Sequence, residues 1–425
     1  METVGLAPPR TRGLRVWARR GSWALADQVL FAGSTFVVNI MLARRLSASE
    51  YGAFAVAFLI FMLAGTIHTA ALTEPMLVYG SGKYRESFGS YLRLLIAAHA
   101  LVAGAISASL VPVAVACWLF GAHTLALTFA ALAAASPFVL LVWLLRRGFY
   151  VQMRPHWAAV GDGLFLVLTV TGLLALAHEG SLGPATALLA MGAAGLAASV
   201  VLAALLHAPS GPPLRARDVA RDHWAYGRWN ALEQALYWGS AQSLMVLVPI
   251  VLGLPKAAAV AAIVNLFRPL HPAMQSTTAL MLPALAARGA SDKIRAGFGR
   301  TLRTLVVPYA GAVAIYGLVL TIFARPVLHH VYGGRYDGYT TVVALFALAY
   351  TATTIIQTLT VFLKATGNIR AVPALWGISG LVTVPLAVPA MKLFGLDGGV
   401  ALFVLSYVVA ALVAWRRVRK AMAAL

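Results

Sequence analysis

Arg268 is the side chain whose position asks most of its surroundings. It falls inside an apolar run, Ala257 to Leu285, where an Arg costs roughly 2.5–3.5 kcal/mol on insertion scales. A helix acid or backbone carbonyls can offset that cost, and so can an anionic ligand. Asp27 and Glu233 stand near the starts of two other apolar runs, about one and a half turns in. They are candidates for proton uptake and coupling to an ion gradient, while pairing with Arg19, Arg20 or Arg228 at the interface accounts for them as well. At about 100° per residue, Asp27, Gln28, Ser34, Thr35 and Asn39 share one arc of the first run. Asn230, Glu233, Gln234, Tyr237 and Ser240 share one of the seventh, and Asn265, Arg268, His271, Gln275 and Thr278 one of the eighth. Such faces belong against protein or water rather than lipid. Pro269 and Pro272 in the last arc free carbonyls, which neighbouring helices or water must satisfy.

Other chemistries find no support. The single Cys117 excludes an intrachain disulfide and a multi-cysteine metal site. His329 and His330 are adjacent, so they cannot share the face that zinc spacing needs. His68 and His99 lie on apolar helices and are read as hydrogen-bonded within the protein, and Glu74 before Pro75 as the end of a helix. Gly82 and Lys83 are followed by Tyr84, so the phosphate-binding loop of an ATP-driven pump is absent. No catalytic residue, metal or cofactor is expected.

The elements that position these residues are membrane spans. The 425 residues are 61% apolar and 11% charged, with a mean hydropathy of +0.83. A soluble domain has roughly 45–50% apolar and about 25% charged residues, so a soluble globule is excluded. Apolar runs lie near Ser22 to Ala43, Tyr51 to Leu72, Tyr91 to Trp118, His123 to Leu145, Ala158 to Ala177 and Leu182 to His207. Six more lie near Trp229 to Leu252, Ala257 to Leu285, Thr301 to Phe323, Tyr339 to Leu363, Ala371 to Met391 and Gly399 to Trp415. The expected fold is an all-α polytopic membrane protein of twelve transmembrane helices, with both termini on one side.

A net charge of +20 would suggest nucleic acid in a soluble protein. Here the position of each charge matters more, and no nucleic acid is expected. With the N-terminus cytoplasmic, only Arg44, Arg45, Lys256, Arg325, Arg335 and Lys392 fall on the far side, and Arg268 within a span. Arg146 with Arg147, Arg215 to Arg228, Arg288 to Arg303 and Arg416 to Lys420 then share the cytoplasmic face, where they read as topology signals and partners for anionic membrane lipids. Arg10, Arg12, Arg15, Arg19 and Arg20 precede a run too long for a cleavable signal, so it is expected to stay as the first span. The segment 208–228, rich in Pro and Arg and carrying Trp224 and Tyr226 near its end, is expected to lie along the membrane surface.

The halves repeat. Trp23, Asp27, Gln28, Leu30, Phe31, Gly33 and Ser34 recur at constant spacing as Trp229, Glu233, Gln234, Leu236, Tyr237, Gly239 and Ser240. Phe88, Gly89, Leu92 and Arg93 recur as Phe298, Gly299, Leu302 and Arg303. Six spans is an even number, so both copies enter the membrane in one direction, as a parallel repeat. The expected organisation is a six-helix bundle over 1–207, a linker over 208–228 and a second six-helix bundle over 229–425, around a central cavity.

Three passages carry a family resemblance: the Arg-rich start with Trp23 through Arg45 and then Leu46, Ser47, Glu50, Tyr51 and Gly52; Thr73, Glu74 and Pro75; and Arg268, Pro269, Pro272 and Pro283. On these the chain resembles the multidrug/oligosaccharidyl-lipid/polysaccharide (MOP) flippase superfamily, and within it the Wzx-like polysaccharide flippases. The resemblance implies transport of a lipid-linked oligosaccharide from the cytoplasmic to the periplasmic leaflet of the bacterial inner membrane, alongside other polysaccharide assembly proteins. It implies no enzyme activity. Arg268 is then the candidate for substrate phosphate. Gln28, Asn39, Asn265 and Gln275 are candidates for sugar hydroxyls, and interhelical hydrogen bonds account for them equally well. A multidrug or organic-cation antiporter of the same superfamily is the nearer rival; Asp27 and Glu233 leave it open, while Arg268 argues for an anionic cargo. A membrane glycan polymerase or ligase stands lower, because the longest external connection, 324–338, is short and holds one acid, Asp337.

Overall fold

The computed structural model describes residues 11–208, 211–270, 307–365 and 371–424. The described residues form helices and connecting turns. In order they are α1 (Thr11–Arg45), α2 (Ala48–His68), a wide π-type turn (Thr69–Thr73), α3 (Glu74–Ser81), α4 (Phe88–Leu119), α5 (His123–Val151), α6 (Pro155–His178) and α7 (Pro184–Leu205). Then come α8 (Ala216–Ala241), α9 (Ser243–Leu252), α10 (Leu254–Phe267), α11 (Val307–Ile322), α12 (Ala324–Tyr332), α13 (Thr340–Ala365) and α14 (Ala371–Ala424), which is broken at Gly395.

Among the described residues, eight helices are long and apolar enough to cross a membrane, or nine if α11 and α12, bent by 76°, count as one span. Three local features shift the elements from the apolar runs. The span expected to close at Leu72 continues through the wide turn to Ser81, so Glu74 and Pro75 mark a break and not an end. The seventh run is divided at Gln242 into α8 and α9. The second half of the linker is helical from Ala216 and continuous with the start of that seventh run.

Local chemistry explains several boundaries. Ser47 and Glu50 form a reciprocal capping box at the start of α2: the Glu50 amide donates to Ser47 Oγ at 3.2 Å and the Ser47 amide to Glu50 Oε2 at 2.9 Å. Pro155 and Pro184 open their helices, where a missing N–H costs nothing. Pro137 lies inside α5 and leaves the Ala133 carbonyl without its usual donor. Ser107 Oγ of α4 supplies one at 2.7 Å. Outward faces stay apolar: Leu101, Phe120, Val200, Ile315 and Phe394 are exposed, as contact with acyl chains requires.

The chain divides into two units, one comprising 1–35, 67–116 and 129–228, the other 36–66, 117–128 and 229–425. In the first, α6 packs on α7, and α7 approaches α5 where Gly192 and Gly195 meet it: a Cβ on Gly195 would stand 3.1 Å from the Phe138 carbonyl carbon and the Val139 nitrogen. In the second, α13 packs against α11 and α14, and α9 against α10 and α14. Ser379, Thr383 and Ser406 close a buried hydroxyl cluster across the two limbs of α14. A Gly195→Val substitution forces a side chain into backbone and is expected to cost about 1–3 kcal/mol, measured as a lowered unfolding temperature in detergent, whereas Gly104→Ala, whose Cβ meets nothing within 4 Å, is expected to leave it unchanged.

Candidate functional site

Two groupings of buried polar residues stand out, one in each unit. In the first unit Asp27 of α1 is fully buried and faces α5 and α6. Arg146 Nε donates to Asp27 Oδ1 at 2.9 Å and Oδ2 at 3.1 Å, and Nη2 also donates to Oδ2. Tyr150, one turn on from Arg146, donates its hydroxyl to the same Oδ2 at 2.5 Å. The guanidinium lies over the Phe31 ring, 4.6 Å from its centre. Asp162 of α6 brings a second carboxylate, with Oδ2 3.0 Å from Arg146 Nε. Arg146 is 4% exposed and Asp162 3%.

Charge counting makes this cluster chemically active. Two carboxylates face one guanidinium, and the neighbouring Arg147 interacts with Glu74. Asp27 has its oxygens filled by Arg146 and Tyr150. Asp162 Oδ2 has no hydrogen-bond partner of good geometry among the described residues. A proton on Asp162 would leave the cluster neutral, and its loss would leave an unmatched negative charge in a dry environment.

Two expectations change here. Among the described side chains Asp27 has Arg146 as its ion-pair partner; those of Arg19 and Arg20, considered from the sequence, lie outside the described residues. Arg146 in turn is buried against Asp27 and does not face headgroups. Asp162 escaped the sequence reading, although the signal was present: a carboxylate within the run Ala158 to Ala177 of a chain with only 13 acids. His68 and His99 bond to each other, Nε2 to Nδ1 at 2.9 Å, as expected of polar residues within a bundle. The exposed Gln28 lies 3.4 Å from Asp27 Oδ2 through its amide nitrogen.

In the second unit Arg268 directly follows α10. Its amide bonds only to the Asn265 carbonyl at 3.2 Å, and Pro269 prevents the helix from continuing regularly. The Leu266 carbonyl near this helix end accepts from the Tyr316 hydroxyl at 2.7 Å, and a helix C-terminus favours a cation. The guanidinium carbon is 5.4 Å from the centre of the Phe58 ring, and Tyr51, Tyr332 and Tyr350 are the ionisable groups around it. It makes no ion pair and no side-chain hydrogen bond among the described residues.

Asn39 and Asn265 are buried in the same unit. Asn39 Oδ1 accepts from the Tyr51 hydroxyl at 3.1 Å, and Asn265 Nδ2 donates to the Phe36 carbonyl at 3.3 Å, its Oδ1 remaining without a partner of good geometry among the described residues. The Tyr332 hydroxyl donates to the Ala262 carbonyl at 2.7 Å. Glu233 lies on α8, but its side chain, like all of Gln275, is outside the described residues. No group of three metal-ligating side chains occurs among the described residues; His329 instead faces Asp337 at 2.9 Å.

No protein-family model matches the sequence, and no curated protein matches it. Solved structures do match over nearly the whole chain. A multidrug resistance MATE family transporter of the MOP superfamily, in its inward-facing conformation, aligns with a TM-score of 0.75 at 13% identity, covering 94% of this chain and 98% of that one. The lipid II flippase MurJ in an inward closed conformation gives 0.72 at 11% identity, covering 94% and 88%. The chain has the MOP-superfamily fold. A MOP superfamily transporter from Pyrococcus furiosus, described as having a binding pocket of reverse polarity, gives 0.65 at 12% identity, covering 96% of each chain. At such identities the likeness carries the fold alone.

Within this MOP-fold chain the acid cluster is testable by itself. Arg146→Ala strands the buried charge of Asp27 and is expected to cost about 3–5 kcal/mol, read as a lowered unfolding temperature in detergent. Adding Asp27→Asn removes that charge and is expected to recover part of the loss; an additive effect of the two substitutions would exclude the pairing as its cause.

Proposed function

We propose that this chain is a flippase that moves a polyprenyl-diphosphate-linked oligosaccharide, a precursor of a surface polysaccharide, from the cytoplasmic to the periplasmic leaflet of a bacterial inner membrane by alternating access. Twelve spans in two repeated six-helix halves, 1–207 and 229–425, joined by 208–228, with both termini cytoplasmic, belong to this reading. So do anionic membrane lipids and other polysaccharide assembly proteins as partners. The observation that carries it is Arg268. It is a guanidinium at a helix end, held over an aromatic ring and surrounded by phenols, with no carboxylate against it among the described residues. A diphosphate headgroup is anionic and cannot cross hydrocarbon unaided. Arg matches phosphate oxygens with its planar fork of donors, and Asn265 Oδ1, one turn away and without a partner among the described residues, is an acceptor suited to a sugar hydroxyl and not to the phosphate.

Ion coupling is assigned to the acids of the first unit. Asp27 is locked by Arg146 and Tyr150, so Asp162 is the better proton carrier of the two, with Glu233 the corresponding candidate in the second half. The alternative, an organic-cation antiporter, draws on the same carboxylates. It offers no use for Arg268, which would repel a cation.

The experiment is complementation of a polysaccharide-deficient deletion strain, with drug sensitivity scored in parallel. Arg268→Ala is expected to abolish surface polysaccharide while the protein still inserts and accumulates; full export by this variant would remove Arg268 from the site. Drug sensitivity that rises on deletion while polysaccharide is unchanged would favour the antiporter. In reconstituted vesicles Asp162→Asn is expected to remove the dependence of transport on a proton gradient, and transport by that variant with the gradient dependence intact would exclude Asp162 as the carrier.

A further inference from the structure

Pro75 has no N–H, so the carbonyl four residues before it, Ala71, loses its helical donor. The chain answers with the wide turn Thr69–Thr73, in which the Glu74 amide reaches back to the Thr69 carbonyl, five residues away. Widening the turn eases the proline ring past the Ala71 carbonyl and leaves that oxygen free to bond elsewhere. Its new donor comes from far along the sequence: His223 Nδ1 of α8 lies 2.8 Å from the Ala71 oxygen. A carbonyl can only accept, so Nδ1 carries the proton. His223 Nε2 lies 2.7 Å from the Tyr91 hydroxyl, which donates when the ring is neutral. Burial pushes the His223 pKa below its ordinary value, opposed by the Ala71 carbonyl and Asp222, so the ring is neutral near pH 7.

The contact is reinforced on both sides. Asp222 Oδ2 accepts from Lys83 Nζ and from the Tyr84 hydroxyl, each at 2.6 Å. Those hydrogen bonds, Lys83 first, hold its carboxyl below the usual range. Gly227, one turn after His223, lies so close to the wide turn that a Cβ there would stand 2.8 Å from the Ala70 oxygen. Val219, His223 and Gly227 therefore form one buried stripe of α8, which continues unbroken to Ala241. Immediately after the wide turn stands Glu74, which interacts with Arg147 beside the buried Arg146.

We propose that His223 is a positioning residue for transport: it supplies the donor that Pro75 removes from Ala71, and so makes the linker helix the brace of the break in the second span. Bracing the break fixes where Glu74 stands relative to Arg147, next to the acid cluster. This role adds to the flippase reading and rests on it only for the transport arm of its test.

Hydrogen exchange of the segment Thr69–Tyr79 in the detergent-solubilised full chain requires no cargo. His223→Ala is expected to speed exchange there about tenfold, the scale of one lost hydrogen bond. His223→Asn, whose side-chain nitrogen takes the place of Nδ1, is expected to restore it. In a Pro75→Ala background the residue 75 amide can bond Ala71 itself, and His223→Ala is then expected to change exchange less than twofold. An equal increase in both backgrounds, or none in the parent, overturns the proposal. Should His223→Ala fail to accumulate, Pro75→Ala must rescue it, and a failure to rescue overturns the proposal equally. In the transport arm His223→Ala is expected to slow flipping and His223→Asn to keep it; exchange effects without any transport effect would confine His223 to structure and remove the transport role while leaving the flippase assignment intact.

Discussion

Inside a bilayer neither a carbonyl nor a charge can fall back on water, and that constraint organises this protein more than any single fold rule. A helix satisfies its own backbone, so apolar helices are the default, and each departure from regular helix must find its partner on another element. Two prolines among the described residues follow one pattern. Pro137 frees Ala133, and Ser107 of α4 donates to it. Pro75 frees Ala71, and His223 of α8 donates to it. Proline thus acts at a distance: it weakens one helix and ties that helix to a neighbour that carries a spare donor. The bonds are modest individually, of order 1 kcal/mol, but leaving such carbonyls bare in hydrocarbon would cost more than the bond itself contributes.

The same constraint treats charge in two opposite ways. Around Asp27 the protein supplies its own counter-ion and two kinds of hydrogen bond, so the group is held in place whether or not anything is transported. Its one inequality is the second carboxylate of Asp162, and that imbalance is where a proton would be exchanged. Arg268 is the reverse case. Its described surroundings offer a ring face, phenols and the end of a helix, and no carboxylate among them. A group left in that condition is ready to receive an anion. Under the proposed function the acid cluster is the coupling site and Arg268 the cargo site.

Much of this was legible in the sequence, and what was missed has a physical reason. Composition and apolar runs disclose spans because hydrophobic length is a one-dimensional property. Arg268 is visible because a lone cation in an apolar run violates that pattern. Partnership is three-dimensional and does not show in sequence proximity: Arg146, 119 residues away, is brought to Asp27 by the folding of α5 against α1. Arg146 was hidden by its context, since Arg146 and Arg147 together look like an ordinary boundary cluster, and only packing separates the buried member from its partly covered neighbour. A proline removes a helical bond, and by that rule alone Pro75 ends a helix. The helix continues because a residue in the distant linker restores one.

The shared fold sharpens the question of cargo. A multidrug transporter and a lipid II flippase align with this chain about equally well at 11–13% identity, so the helical scaffold by itself selects neither drug nor glycolipid. Selection must lie in the few buried polar side chains that can be exchanged without disturbing the apolar packing. Two observations bear on it here and point the same way. The acids of the first unit are engaged with a buried Arg, which blunts their attraction for an organic cation. Arg268 in the second adds positive charge where no described carboxylate cancels it. Under the proposed function the anion is the better match, because a guanidinium with no carboxylate against it among the described residues offsets part of its charge.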